Sequence, residues 1–220
     1  KRLEYSNQYY MNLTLVDLNP EVVQAWGKAF ADVEEVTVHQ GSIFHYPCDA
    51  LVSPANSFGH MNGGIDFTIS NTLGWHIEKR LQETLRKKHY GELLVGQAEI
   101  IPTEHEDFPY LISAPTMRIP MSIPRTPNVY HAMRAILILA RDGHFDNGQK
   151  ISDKVKTIAI PGLGTGVGQV SGMVCALQMR LAWEDIMNEM YATESKWDRL
   201  RENFKFFYTG NINDIAYDII

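Results

Sequence analysis

Short apolar runs alternate along this chain with longer segments in which apolar residues recur every three or four positions. The short runs predict strands over residues 12–17, 35–39, 49–53, 97–102, 109–113, 155–160 and 203–208. The longer segments predict helices over residues 20–31, 65–73, 75–89, 127–141 and 171–191. Asn19-Pro20 is a typical cap and first turn for the first helix. This alternation predicts an α/β protein with a mostly parallel sheet and helices on both faces.

The length of 220 residues fits a single domain, which we place over residues 11–220. Residues 1–10 are polar and tyrosine-rich and are interpreted as an extension or a tag remnant. No apolar run approaches the roughly 18 residues that span a membrane, so no membrane partner is expected. The net charge of −6 argues against a nucleic-acid duplex as partner, since such a partner requires a basic surface.

The two cysteines, Cys48 and Cys175, are far apart in the sequence and lie in apolar segments. We expect both to be buried, reduced thiols in a cytoplasmic protein. Neither has the spacing of a metal ligand, so no metal and no cofactor are predicted.

Two glycine-rich loops each follow a predicted strand and precede a predicted helix. The first loop runs from Ser53 to Asp66 and has Gly63-Gly64 at the start of its helix. A helix N-terminus presents unpaired N–H groups and a positive dipole end, so it stabilises a phosphate without a lysine. Asn56 offers an amide to sugar hydroxyls. Asp66, in the first helical turn, can accept a hydrogen bond from a ligand or a water molecule.

The second loop has four glycines within residues 162–168. Such a run exposes main-chain amides that form a nest for a phosphate. No GK[ST] sequence follows, so this is not a Walker A loop. Because ligands bind at the carboxyl ends of parallel strands, we expect the two loops to meet at one edge of the sheet.

Each of these features also has a plainer interpretation. Glycine-rich turns occur as simple connectors, a lone Asp66 is typical of a helix cap, and a lone Asn56 is typical of a turn. His60 is either a loop histidine without chemistry or an alternative acid or base. The convergence of several such features on one sheet edge favours a functional site.

Four motifs in a fixed order resemble the macrodomain family, also called the ADP-ribose 1″-phosphate processing family. They are residues 36–43 (VTVHQGSI), 49–56 (DALVSPAN), 62–66 (NGGID) and 158–168 (IAIPGLGTGVG). They correspond to a GDI-like turn, a strand ending in NAAN, a glycine cluster followed by Val-Asp, and a late glycine-rich loop. The resemblance covers about residues 35–190.

The resemblance implies a three-layer α/β/α sandwich with a mixed, mostly parallel sheet and with ADP-ribose lying across its edge. Asn56 then looks like the family asparagine that meets the distal ribose, and Asp66 like the aspartate that hydrolytic members use there. The implied ligand-binding residues are Ser42, Ile43, Ala55, Asn62, Gly63, Gly64, Ile65, Pro161, Gly162, Gly164, Thr165, Gly166, Val167 and Gly168.

The chain departs from the family pattern at several positions. Ser42 replaces an aspartate that accepts a hydrogen bond from the adenine amino group, and its hydroxyl accepts without charge. Ser53 replaces the first asparagine of NAAN, and Asn62 replaces a glycine. The second loop lacks the usual aromatic residue, since Gly168 stands at that place. The candidates to cover the ribose instead are Phe58, Phe207 and Tyr208.

Two functions fit this pattern. One is hydrolysis at the distal ribose of a mono-ADP-ribosyl ester on protein, O-acetyl-ADP-ribose or ADP-ribose 1″-phosphate, with Asp66 orienting or deprotonating a water molecule. The other is a non-catalytic reader of ADP-ribose. In either case the expected partner is ADP-ribose or an ADP-ribosylated protein. A Rossmann-type oxidoreductase is disfavoured because strand 12–17 ends without a glycine.

The proline-rich residues 102–128 include Arg118 and Arg125. They form either a wall of the ligand cleft, a partner contact or a plain surface loop. An arginine that reached the diphosphate would make a charge-assisted contact.

Overall fold

The computed structural model describes residues 11–190 together with Asn203 and Phe207. Within residues 11–190 the strands are β1 (Asn12–Asp17), β2 (Val36–Gln40), β3 (Ala50–Ser53), β4 (Glu99–Pro102), β5 (Tyr110–Ser113) and β6 (Thr157–Ile160). The helices are α1 (Pro20–Ala29), α2 (Gly64–Leu73), α3 (His76–His89), α4 (Asn128–Asp142) and α5 (Gly172–Met187). Two short 3₁₀ helices cover Ile43–His45 and Ile151–Asp153. Each element predicted within residues 11–190 is present, with small shifts at its ends.

Local sequence explains the first of these boundaries. The Oδ1 atom of Asn19 accepts a hydrogen bond from the backbone N–H of Glu21 at 2.9 Å, and Pro20 occupies the first turn of α1. The predicted cap is therefore confirmed.

The strand predicted over residues 203–208 is wrong for both residues described there, because Asn203 and Phe207 are helical. A short apolar run does not distinguish a strand from a buried helical segment. The extension predicted over residues 1–10 lies outside the described residues.

The six strands form one sheet in the order β2-β1-β6-β3-β5-β4. β4 runs antiparallel to β5, and the other neighbouring pairs are parallel. The carboxyl ends of the five parallel strands therefore lie at one edge of the sheet, where both glycine-rich loops begin. The mixed, mostly parallel sheet predicted from the sequence is confirmed.

Side chains that alternate along the strands fill two separate cores, one on each face of the sheet. Leu13 and Val52 pack in a core with α1, α4 and α5, whereas Leu51 and Leu111 pack in a core with α2 and α3. This arrangement gives the three layers of an α/β/α sandwich. No helix in the described part of the chain combines the length and the apolar character needed to cross a membrane.

Both cysteines are free and buried, as predicted. Burial raises the pKa of the Cys48 thiol and of the Cys175 thiol to about 12. Neither thiol is therefore ionised near neutral pH.

Candidate functional site

The two glycine-rich loops line one cavity of about 210 Å³ at the carboxyl edge of the sheet. The first loop contributes Pro54, Ala55, Asn56, His60, Asn62, Gly63 and Gly64, followed by Ile65 and Asp66 of α2. The second loop contributes Gly162, Gly164, Gly166, Val167 and Gly168, and a third segment contributes Thr116, Met117 and Pro120. Among the described residues, no lysine or arginine lines the cavity. An anion bound here would therefore be held by backbone amides and helix dipoles.

Asp66 is the one carboxyl group among the described residues that line the cavity. It is buried, with 7% of its surface exposed, and it is not the helix cap, because α2 begins at an N-cap glycine without a side-chain hydrogen bond. Its Oδ1 atom accepts a hydrogen bond from the Ser53 hydroxyl at 2.5 Å. Burial raises the pKa of the Asp66 carboxyl to about 7, although the hydrogen bond from Ser53 opposes this shift. Near neutral pH the group can therefore both accept and donate a proton.

The amide of Asn56 stabilises the first loop itself. Its Nδ2 atom donates a hydrogen bond to the carbonyl of His60 at 2.8 Å, and its Oδ1 atom accepts from the N–H of Phe58 at 3.1 Å and of His60 at 3.3 Å. Asn56 therefore has the role of a turn residue, which was one of the two interpretations of its sequence position. The residue nevertheless lines the cavity, so its position fits both interpretations.

Two side chains of helix α3 contact the same loop. The Oε2 atom of Glu78 accepts a hydrogen bond from the N–H of Met61 at 2.5 Å, and Gln82 lies 3.3 Å from the ring Nδ1 of His60. Side chains from a packed helix thus fix the path of the loop between Asn56 and α2.

The N-terminus of α2 opens onto the cavity. Gly63 is its N-cap, and Gly64 has a φ of +55°, in the left-handed region that favours glycine. Because no side chain caps this helix, the N–H groups of its first turn are left for a ligand.

The second loop presents a run of backbone amides. The N–H groups of Gly164 to Gly168 have no hydrogen-bond acceptor among the described residues. The start of the loop is held by Asp17, at the end of β1, whose Oδ2 atom accepts from the N–H of Gly162 at 3.0 Å. The arrangement fits the amide nest that the sequence predicts for a phosphate.

Residues 114–127, the bridging segment, connect the two loops. The N–H of Ser57 donates to the carbonyl of Arg118 at 3.1 Å, and the N–H of Ile123 donates to the carbonyl of Gly168 at 2.8 Å. The side chain of Asn128 then anchors the segment by donating to the carbonyl of Thr116 at 2.8 Å. This part of the proline-rich region is therefore a wall of the cavity.

Neither arginine of that region lines the cavity. Arg118 forms a two-point ion pair with Glu92, at 2.6 and 3.1 Å, and its guanidinium lies 5.3 Å from the centre of the Phe58 ring. Arg125 is exposed. Both arginines therefore lie outside the described cavity wall.

A family model described as Macro domain matches residues 52–178, more than half of the chain. The chain belongs to the macrodomain family.

Known relatives of this macrodomain are consistent with that assignment. An uncharacterized protein of Aquifex aeolicus is 35% identical over 145 residues, which is 66% of this chain and 78% of the relative. The macrodomain of Mycobacterium tuberculosis DarG superposes with a TM-score of 0.55 at 17% identity, over 68% of this chain and 90% of that one. The Oceanobacillus iheyensis macrodomain solved with ADP gives a TM-score of 0.50 at 22% identity, over 64% and 72% of the two chains. These structural matches show a shared fold.

Four of the predicted ligand-binding residues of this macrodomain do not line the described cavity. Ser42 and Ile43 follow β2, which β1 separates from the second loop in the sheet, and Ile43 packs in the core beneath α2 and α3. Pro161 is buried and Thr165 packs beside Gly162. Their contact with a ligand stays a prediction.

Two of the aromatic residues suggested as covers for the ribose, Phe58 and Phe207, do not line the described cavity. Phe58 packs against Arg118, and Phe207 is buried at 5.2 Å from the Tyr130 ring on α4. Tyr208 lies outside the described residues. Thr116, Met117 and Pro120 line the cavity instead, and the sequence indicated them only as part of a proline-rich run after a strand.

Within the described residues, no group of three or more His, Cys, Asp and Glu side chains is arranged to hold a metal ion.

Proposed function

We propose that this macrodomain binds ADP-ribose, free or attached to protein, and hydrolyses an ADP-ribose derivative at the distal ribose. The observation that carries the proposal is the shared cavity in which two amide-bearing loops flank the buried Asp66 carboxyl. Amides complement a diphosphate, and a carboxyl group with a pKa near 7 suits proton transfer at neutral pH.

The uncharged amides of the second loop and the first turn of α2 would hold the diphosphate between them. The Oceanobacillus iheyensis macrodomain, which shares this fold, was solved with ADP, and a diphosphate is the part of ADP-ribose that these amides match best. The cavity volume of about 210 Å³ is below the ~300–1,000 Å³ usual for small-molecule sites. A ligand as long as ADP-ribose would therefore extend beyond it along the sheet edge, toward Ser42.

In the hydrolytic reaction, the ionised Asp66 carboxyl would accept a proton from a water molecule as the water oxygen bonds to the acyl carbon or phosphorus of the substrate. The same carboxyl would return the proton to the ribose oxygen as the old bond breaks. Diphosphate binding supplies the orientation, because remote contacts position the reacting end. The substrates that fit are a mono-ADP-ribosyl ester on protein, O-acetyl-ADP-ribose and ADP-ribose 1″-phosphate.

One observation favours a reader without turnover as the second candidate. Both polar atoms of the Asn56 amide are used within the first loop, which leaves less capacity to orient a ribose.

The free thiols of Cys48 and Cys175 fit a reducing compartment, and we propose a cytoplasmic location for either function.

Incubation of mono-ADP-ribosylated protein with wild type, Asp66→Ala and buffer tests the enzyme. We expect release of ADP-ribose by wild type and a loss of at least about 100-fold in the variant, because a general base contributes about 10²–10⁴-fold. Calorimetric titration with ADP-ribose tests binding. Micromolar binding without turnover would select the reader, and no binding up to millimolar ADP-ribose would eliminate both functions.

A further inference from the structure

Ser53 lies directly beneath the first turn of α2. Side chains alternate along β3, so Ser53 shares the sheet face of Leu51, which packs in the core with α2 and α3. Ser113, at the end of β5, is paired with Ser53 in the sheet register. Both serines are fully buried, but the Ser113 hydroxyl has no hydrogen-bond partner among the described residues, whereas the Ser53 hydroxyl donates to Asp66.

The two oxygen atoms of the Asp66 carboxyl have different surroundings. Oδ1 accepts the hydrogen bond from Ser53 at 2.5 Å. Oδ2 has no hydrogen-bond partner among the described residues, and Asp66 lines the cavity. One oxygen is thus fixed from below, and the other remains available to a water molecule or a ligand.

Among the described residues, no ionisable side chain is hydrogen-bonded to Asp66. β3 carries no ionisable side chain, and α2 carries none besides Asp66 itself. On α3, Glu78 accepts from Met61 at 2.5 Å, and His76 lies 3.0 Å from the carbonyl of Thr103. His60, on the first loop, lines the same cavity beside Gln82. Burial raises the pKa of Asp66 to about 7, and the hydrogen bond from the Ser53 hydroxyl opposes this shift.

We propose that Ser53 is a positioning residue that orients the Asp66 carboxyl toward the cavity and stabilises its charged form. A hydroxyl that donates to a carboxylate favours the ionised state. At neutral pH this hydrogen bond would keep a larger fraction of Asp66 able to accept a proton. The consequence for turnover rests on the proposed function, but the effect on ionisation does not.

Carboxyl ¹³C NMR titration of ¹³C-aspartate-labelled protein measures the ionisation directly, without any ligand. The Asp66 signal is identified as the one lost in Asp66→Asn. In Ser53→Ala we expect its titration midpoint to move upward by about one pH unit, because hydrogen bonds to charged groups are worth about one to two such units. Ser113→Ala is the matched control, since it removes a buried serine hydroxyl from the neighbouring strand end, and its midpoint should stay at the wild-type value.

A midpoint that stays in place in Ser53→Ala, or that moves equally in both variants, would overturn the proposal. If Ser53→Ala does not fold, Ser53→Cys supplies the same comparison, because the thiol fills a similar volume but donates weakly. The acidic limb of the kcat/KM profile should move with the NMR midpoint. A wild type that neither binds nor hydrolyses, combined with a shifted midpoint, would reject the proposed function and leave the Ser53–Asp66 pairing intact.

Discussion

The two loops of this macrodomain reach the same cavity but are built by different means. Side chains hold the first loop: the Asn56 amide bonds its backbone, and Glu78 fixes Met61 from α3. The second loop depends on residues that have no side chain. A Cβ atom on Gly168 would collide with the carbonyl of Gly164, and one on Gly162 would collide with the Asp17 carboxylate.

The glycines of this site therefore divide into those that face open space and those that are enclosed by protein. At Gly63, Gly64 and Gly166 a Cβ atom would meet nothing within 4 Å, so these glycines face open space. Gly162 and Gly168 are instead enclosed by protein. Substitutions of the polar residues of the first loop should remove hydrogen bonds, whereas substitutions at Gly162 and Gly168 of the second loop should cause steric clashes.

The largest effect on stability is expected for Asp66→Asn, in the first turn of α2 where the first loop ends. Burial raises the Asp66 pKa from 3.8 to about 7 in the folded protein. As the pH rises through this window, the unfolded chain loses the proton before the folded one does, so wild-type stability falls. The introduced asparagine carries no charge, and the variant should be more stable than wild type by about 4 kcal/mol at pH 8, with no gain below pH 4.

Urea unfolding at pH 4 and pH 8 measures this difference. The Oδ1 atom of the introduced asparagine can still accept a hydrogen bond from the Ser53 hydroxyl, as Oδ1 of Asp66 does at 2.5 Å. Equal unfolding midpoints for wild type and Asp66→Asn at both pH values would contradict the raised pKa and would weaken the contrast between the loops.

The next effect should come from Gly168→Ala in the second loop. The added methyl would meet the Gly164 carbonyl and approach Ile123 Cγ1 to 2.9 Å. Such overpacking costs about 1–3 kcal/mol, and the displaced loop should lose affinity for ADP-ribose. Gly166→Ala is the control, because its methyl meets nothing within 4 Å. Thermal unfolding of the pair checks the prediction, and equal losses in both variants would show that enclosure does not distinguish these glycines.

The smallest of these effects should come from Asn56→Ala, which removes the hydrogen bonds of its amide to Phe58 and His60. We expect a loss of about 1–2 kcal/mol in the free energy of unfolding. Asn62→Ala is the matched control, since Asn62 is exposed and makes no side-chain hydrogen bond with the described residues. Chemical denaturation measures the free energy of unfolding of the two variants. Equal losses would refute the claim that the side chain of Asn56 stabilises the first loop.

Much of the site could be predicted from local sequence. Gly63-Gly64 before an apolar helix and the glycine run after residue 160 are signals confined to a few neighbouring positions. Strand-to-helix alternation then places both loops at one sheet edge. Asp66 could be singled out because a carboxylate in the first helical turn of such a loop is close to any bound ligand.

Other parts of the site depend on residues that are distant in the chain. The Ser53–Asp66 hydrogen bond joins positions 13 residues apart, and in the sequence Ser53 is merely a replacement in a motif. The bridging segment joins both loops through backbone hydrogen bonds. Such bonds depend on the course of the main chain and not on the type of residue. The helical state of Asn203 and Phe207 was also missed, since their aromatic surroundings fit a strand equally well.

The sequence by itself determined the α/β class, the position of both loops and the identity of the cavity carboxyl, because periodicity, glycine and helix-start signals act over short distances. Only the tertiary structure decided that β1 lies between β2 and β6, which separates Ser42 from the second loop. It also decided that Ser53 is the partner of Asp66 and that residues 114–127 close the cavity. Strand order and burial arise from the packing of distant segments, and the pKa of Asp66 follows from that burial.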